Sequence, residues 1–408
     1  MDGSSITTTC CIVGGGPAGM MLGFVLARAG VEVTVLEKHA DFFRDFRGDT
    51  IHPSTLDVID QLGLRERFDA IPRTAVSGLD LVLNGTRLRP VNFGHLRGRN
   101  KKLVLMPQWD FLDMLADEAR KLPTFRLLMG TEAVTVVSTN GTVTGVRAEG
   151  EDGPIEIEAA LTVAADGRAS RIRTAAGLRV RDFGVPLDVL WFRLPKPRVN
   201  PPDTLGYIGT ETLVLTIPRI GYYQAAMLIK KGSFPEVVAA GLAQFRADVV
   251  RTATFLGPVI DSLEDWDQVK LLTVQVNRLR RWHRPGLLCI GDAAHAMSPA
   301  FGVGVNLAVQ DAIATANMLA APLVAGTITD RDLAAVQRRR MFPVRVTQWV
   351  QLRMHRYIGR PGGGAGIPYP LPRSVRFLLG LGMPVIQRLT GRLVGRGIRP
   401  EKIRPELL

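Results

Sequence analysis

Three times along the chain a short apolar run stops at glycine and passes into residues with helical spacing. Cys10–Val13 reads as a buried strand, Pro17–Ala29 as a helix ended by Gly30, and Val31–Leu36 as a second strand ended by Glu37. Residues 160–178 repeat the strand-to-helix change, with Asp166, Gly167 and Arg168 at the junction. Leu287–Ile290 is a third buried strand. Gly291 and Asp292 end it, and a helical pattern starts at Val305. Alternating runs lie between these units. Leu79–Leu83 and Thr86–Val91 flank the hairpin signal Asn84-Gly85, and residues 125–158 hold three or four strands turning at Asn140-Gly141 and at 151–153. Val189–Leu194, Thr212–Ile217 and Tyr222–Ile229 read as further strands, and Phe234–Arg251 has helical spacing.

The first junction has its own chemistry. Gly14, Gly16 and Gly19 form GxGxxG inside a full βαβ unit. The first glycine permits the tight turn, the second lets a pyrophosphate approach the backbone, and the third lets helix and strand pack closely. The helix start offers N–H groups and a favourable field to phosphate. Glu37, at the end of the next strand, is placed to accept bonds from unphosphorylated ribose hydroxyls, as in FAD or NAD. The pattern therefore predicts an α/β fold with an α+β insert. A Rossmann-like domain for FAD or another dinucleotide, with a small β-meander, covers 1–77, 101–179 and 271–325. An antiparallel-sheet substrate domain covers 78–100 and 180–270, and a basic helical segment covers 326–408. Gly362–Gly366 follows no strand and reads as a linker.

The other two junctions make the case specific. Asp166 and Asp292 both stand where a buried strand ends, and the loop Pro299–Asn306 presents N–H groups at a helix start. In this order and spacing the chain resembles the group A flavoprotein monooxygenases, the single-component aromatic hydroxylases typified by para-hydroxybenzoate hydroxylase. GGGPAG matches the first family motif at Gly14, Gly16 and Gly19. DGRASRIR matches the second at Asp166, Gly167, Ser170 and Arg173. GDAAHAMSPAFGVGVN matches the third at Gly291, Asp292, His295, Pro299, Gly302, Gly304 and Asn306. The resemblance implies FAD contacts at Gly14, Gly16, Gly19, Glu37, Asp166, Gly167, Asp292, Gly302, Gly304 and Asn306. By local alignment it adds Gln108 near the ribityl chain and Arg47 over the pyrophosphate, and it places Arg47 and Pro299 beside the reacting part of the cofactor. It also implies transient NADPH or NADH, O2, a flavin C4a-hydroperoxide, and hydroxylation of an aromatic or phenolic compound. A second GxGxxG, a redox CxxC and a WxWxIP element are all missing, which disfavours a reductase or a halogenase on the same fold. A flavin-binding protein that shelters a reactive intermediate stays open.

Composition narrows the remaining choices. Hydrophobic residues make up 46% of the 408 and charged ones 22%, ordinary values for a globular chain. Residues 1–9 lack a signal-peptide layout and read as a loose tail, and no apolar run approaches membrane-spanning length. Cys10, Cys11 and Cys289 have no disulfide or zinc spacing and read as small buried hydrophobes, so the expected compartment is reducing and cytoplasmic, with no metal. The net charge of +13 comes from residues 338–408, with 15 Lys/Arg against 2 Asp/Glu. No nucleic-acid motif accompanies them. Arg388, Arg392 and Arg396 share one helix face and Ile386, Leu389 and Leu393 another, a pattern that fits weak contact with a membrane surface or reception of an apolar substrate. His295 reads as a structural member of its loop. His52, His95, Tyr207, Tyr222 and Tyr223 are candidates for orienting a phenol in a largely apolar cavity.

Overall fold

Val13, Ala164, Leu36 and Cys289 stand level with one another in neighbouring parallel strands. Val13 pairs with Ala164 on one side and Leu36 on the other, and Ala164 pairs with Cys289. This register is the centre of the computed structural model, which describes residues 4–43, 50–83, 86–198, 206–209, 212–358 and 373–408. Arg47, the Asn84-Gly85 turn and the stretch 362–366 lie outside the described residues.

The parallel strands run in the order Leu287–Cys289, Gly153–Ala164, Ser4–Val13, Val33–Leu36 and Phe125–Leu128, with His283–Arg284 antiparallel at one edge. The first half of Gly153–Ala164 also pairs with Thr142–Gly150, which pairs in turn with Glu132–Thr139, giving the expected meander. The N-terminal residues correct the sequence reading. Ser4–Thr9 extends the first strand rather than trailing as a loose tail, because Ser4–Thr8 pair with Ile155–Ala159. Their polar alternation marks a half-exposed extension of a strand whose Cys10–Val13 end is buried.

Helix Pro17–Arg28 follows the first glycine loop and is buried along nearly its whole length, against the sheet, Gln108–Ala119 and Val303–Val324. Val303–Val324 is the one helix among the described residues apolar and long enough to cross a membrane, but 72% of its apolar window is buried in the protein. It is a core helix. Cys10, Cys11 and Cys289 belong to the same core.

A second sheet lies beyond the first, in the order Lys270–Leu272, Leu187–Pro195, Tyr222–Lys230, Leu213–Pro218, Gly206–Ile208, Gly78–Leu83 and Thr86–Asn92. Its pairs are antiparallel except Gly206–Ile208 with Gly78–Leu83. Alternation along its strands gives it two faces. Leu190, Phe192, Tyr207, Tyr223 and Met227 pack under Leu242–Thr252 and the following 3-10 turns. Leu187, Val189, Trp191 and Ala226 form the opposite apolar face, against which Leu352 of helix Asp330–Ile358 packs.

The C-terminal helix Arg373–Gly395 sits on Thr86–Asn92 of this second sheet. A side chain at Gly391 would strike the Asn92 carbonyl, so glycine sets how closely the helix approaches. The proposed arginine face is divided. Arg388 and Arg392 are exposed, whereas Arg396 pairs with Asp57 at 2.7 Å. Val385, Ile386 and Leu389 are exposed beside the two free-facing arginines. From Gly397 the chain returns to the first domain, where Ile403 is buried, Gln61 bonds both its N–H and its carbonyl, and Arg28 bonds the Leu408 carbonyl.

Candidate active site

Four strand ends deliver four loops to one edge of the parallel sheet. Gly14 donates its N–H to the Leu36 carbonyl at 2.8 Å, Ala165 to Val13 at 2.8 Å, and Ile290 to Ala164 at 3.0 Å. The loops therefore leave side by side, where open α/β sheets bind their ligands. Gly14 turns with φ 108°, and a side chain there would lie 2.5 Å from the Ala165 carbonyl oxygen. At Gly19 it would lie 1.9 Å from the Gly14 carbonyl oxygen. Both glycines fit a fold in which helix, loop and neighbouring strand are in backbone contact. Gly16 differs, because nothing lies within 4 Å of where its side chain would be. It caps helix Pro17–Arg28 without a side-chain bond, so the open space faces the first turn's N–H groups. That cradle suits the pyrophosphate of FAD.

Glu37 closes one side of the cradle, accepting the Gly15 N–H at 3.0 Å and the His39 N–H at 3.1 Å. On the other side Asp166 accepts the Ile172 N–H at 3.3 Å, while its second oxygen is buried without a partner among the described residues. Burial pushes its carboxyl above the usual range, partly offset by hydrogen bonding at the helix start. Gly167 follows with φ 86°. Asp292 meets Arg168 at 3.4 Å, bridging the second and third loops, and buried Arg173 bonds the carbonyls of Ala293 and Arg168 at 2.9 Å each. The second and third motifs are thus one hydrogen-bonded unit. Gln108 is half-buried in the first turn of its helix.

The glycine-rich loop is held from behind. Pro299 is half-buried, and its carbonyl accepts the Gly302 N–H at 3.0 Å. Gly302 has φ 60° and its carbonyl accepts Thr50 Oγ1 at 2.8 Å, with His52 Nε2 3.0 Å away. Gly304 lies in the first helical turn with open space beside it. Asn306 is buried, and its side-chain oxygen accepts Ser54 Oγ at 2.7 Å and Thr55 Oγ1 at 2.9 Å. Toward the loop, the part of Asn306 the structure shows is a tie to the start of helix Pro53–Gln61.

Behind this loop lies a buried charge network that sequence reasoning missed. Asp311 accepts the Gly291 N–H at 3.1 Å, His295 Nε2 at 2.5 Å and Arg340 Nε at 2.8 Å; Arg340 also reaches Glu401 at 3.3 Å. Asp311 is 0% and Arg340 1% exposed. Burial pushes the Asp311 carboxyl upward, but His295 and Arg340 outweigh it and hold the group below the usual range. The one available signal was Asp311 itself, the single charged residue in its helix. Such a group requires a partner.

The substrate-orienting candidates do not converge. His95 is exposed. Tyr207 and Tyr223 point to the helix-covered face of the second sheet, where both rings meet Phe255, and Tyr222 stacks under Arg193. His52 is fully buried, its Nδ1 2.8 Å from the Val394 carbonyl and its Nε2 near Gly302. Period-2 alternation puts Tyr207 and Tyr223 opposite the face that carries Val189 and Trp191.

Two buried histidines set an acid-side limit on stability. Burial holds the His52 and His355 imidazoles below the usual histidine pKa, for His52 against the pull of two carbonyls. A group whose pKa is lower in the folded state binds fewer protons there. Its stabilisation is complete above the unfolded pKa of about 6.5 and is lost as pH falls. Urea midpoints should therefore drop between about pH 7 and about pH 5, by up to about 1.4 kcal/mol per pH unit for each histidine. H355Q should flatten part of that slope, and an unchanged slope would show that His355 titrates normally.

The fold and the site define a flavin-dependent oxidoreductase built around a parallel nucleotide-binding sheet. A family model described as FAD binding domain matches residues 7–350. A 6-methylpretetramide 4-monooxygenase of Streptomyces rimosus is 34% identical over 347 residues, covering 82% of this chain and 80% of the relative. A dialkyldecalin synthase of Streptomyces rugosporus is 26% identical over 76% of this chain, which spans 64% of that protein's length. Among solved structures, p-nitrophenol 4-monooxygenase of Pseudomonas putida superposes with TM-score 0.76 at 18% identity over 97% of this chain and 100% of its own. OxyS anhydrotetracycline hydroxylase of Streptomyces rimosus gives 0.75 at 22% identity, over 96% of this chain and 76% of its own. The chain belongs to the FAD-dependent aromatic hydroxylases, the group A flavoprotein monooxygenases. FAD is its cofactor, and NAD(P)H is the family's reductant.

Proposed function

We propose that this enzyme uses NAD(P)H and O2 to hydroxylate a largely apolar aromatic or phenolic compound, of polyketide, quinolone or prenylated-phenol type. The observation that carries the reading is the level register of Val13, Leu36, Ala164 and Cys289, which brings all three family motifs to one sheet edge. The Streptomyces rimosus relative, named a 6-methylpretetramide 4-monooxygenase, supports the polyketide class. When bound, FAD supplies hydride acceptance and oxygen activation.

The chain's own residues would bind and orient. Gly14, Gly16 and Gly19 with the helix start would take the pyrophosphate, Glu37 the adenosine ribose, and Asp166, Gly167, Asp292 and Gln108 the remaining hydroxyls. The helix start at Val303 and Gly304 would turn its N–H groups toward the ring, stabilising negative charge there, with Pro299 and Gly302 shaping the loop beside it. Asn306 would keep that loop in place through Ser54 and Thr55, and Arg47 would guard the pyrophosphate. Residues 1–77, 101–179 and 271–325 would form the cofactor domain. Residues 78–100 and 180–270 would cover it with the Val189–Trp191 face, which excludes water from the reacting centre.

The test is NADPH and NADH consumption in air by the yellow protein, with a panel of polycyclic phenols, quinolones and simple phenols. Acceleration by one class with an oxygenated product is the expected result. Flavin that stays oxidised with every compound would overturn the reading. It would favour binding without turnover, the alternative toward which a relative named as a dialkyldecalin synthase points.

A further inference from the structure

One buried polar pair beside the glycine-rich loop has no part in the scheme above. Ser298 Oγ lies 2.8 Å from His355 Nε2, and both residues are buried. Ser298 Oγ also accepts the Ala300 N–H at 3.2 Å, which leaves the hydroxyl proton free for the neutral imidazole that burial favours. His355 Nδ1 has no partner among the described residues, so Ser298 is the group through which His355 reaches the loop.

The rest of that helix face holds the same stretch of backbone. Gln351 accepts the Ser298 N–H at 3.2 Å and donates to the carbonyls of Ser298 at 3.1 Å and Ala300 at 3.2 Å. Gln348 donates to the carbonyls of Asn277 at 2.8 Å and Ala296 at 3.1 Å. Positions 348, 351 and 355 fall on one side of Asp330–Ile358, facing residues 296–300. Directly after this clamped segment the chain turns through Phe301 at φ 63° and Gly302 at φ 60°. A phenylalanine in the left-handed region is strained, and such a conformation persists only where its surroundings hold it. Thr50 and His52 hold the far side of the turn at the Gly302 carbonyl, and the Ser298–His355 pair with Gln351 holds the near side. Leu352, on the same helix, touches the Val189–Trp191 face, so the clamp stands between the loop and the apolar sheet.

We propose that His355 is a positioning residue. Through Ser298 it keeps the Phe301–Gly302 turn in the shape that retains the flavin and, on the monooxygenase reading, keeps reductant consumption coupled to hydroxylation. The first half does not require turnover, so the two are separable.

The test compares H355L, H355Q, S298A and the double variant H355L/S298A as purified FAD-loaded proteins. FAD dissociation is followed by recovery of free-flavin fluorescence. H355L and S298A should each release FAD about tenfold faster, and the double variant no faster than either. H355Q, whose amide can still meet Ser298, should behave as wild type. Additive effects in the double variant, wild-type release by H355L, or a loss in H355Q equal to that in H355L would each overturn the proposal; if H355L does not fold, S298A and H355Q decide it. In the same proteins, NAD(P)H consumed per product formed should rise severalfold in H355L with substrate KM little changed. Coupling that stays at the wild-type ratio would overturn the second half. A wild-type protein with no turnover would strike the monooxygenase reading alone, leaving FAD release to judge the clamp.

Discussion

R340M should lower the stability of the protein by about 3–5 kcal/mol, because it takes the guanidinium away from wholly buried Asp311, whereas Glu401 keeps its pair with Arg339. The size follows from what the guanidinium touches. Asp311 is wholly buried, and Arg340 is one of the two side-chain partners that hold its carboxyl below the usual range. Methionine fills the volume but offers no donor. The network also ties Gly291 to Glu401, so its loss should free residues 397–408 as well as soften the third motif. Urea unfolding reads the first effect and proteolysis of the C-terminal residues the second. A wild-type midpoint for R340M would show that Asp311 is stabilised by His295 alone.

Gly14 and Gly16 should fail in different ways. G14A forces a side chain into the Ala165 carbonyl at a backbone angle that disfavours one. Overpacking and left-handed strain together cost about 3 kcal/mol, so both the unfolding midpoint and FAD retention should fall. G16A meets no protein atom and has an ordinary φ of −72°. It should fold normally yet bind FAD about 100-fold more weakly, since the methyl group occupies the space a pyrophosphate would need. Fluorescence titration with FAD and urea unfolding on both variants separate the two causes. FAD affinity unchanged in G16A would move the pyrophosphate away from this loop.

The strand-end loops were legible because their requirements are local. A turn at φ 108° needs glycine, and a carboxylate at the end of a buried strand has few structural uses. Ser4–Thr9 misled because its partner strand lies about 150 residues away, and a polar alternation on a half-exposed strand looks like a tail. Tyr223 could be assigned to a strand but not to a face, since the face depends on which sheet neighbour carries the covering helices, and Tyr207 lies in Gly206–Ile208, too short to show an alternation. The Asp311–Arg340–Glu401 network and the Ser298–His355 pair were illegible for a further reason. Their members come from separate helices, the glycine-rich loop and the tail, and no single element has a pattern that announces the others.

The tie between Asp311 and Glu401 also bears on how the protein is made. Its nucleotide-binding sheet joins Ser4–Val13 through Gly153–Ala164 to Leu287–Cys289, far along the chain, and its third loop is braced by Glu401. A nascent chain exposes the first glycine loop long before the strand that flanks Gly153–Ala164 has been translated. The sheet edge that carries all three glycine and acid loops is therefore complete only once Leu287–Cys289 has been made. Until then Thr162–Ala164 lacks its Leu287–Cys289 partner along one side.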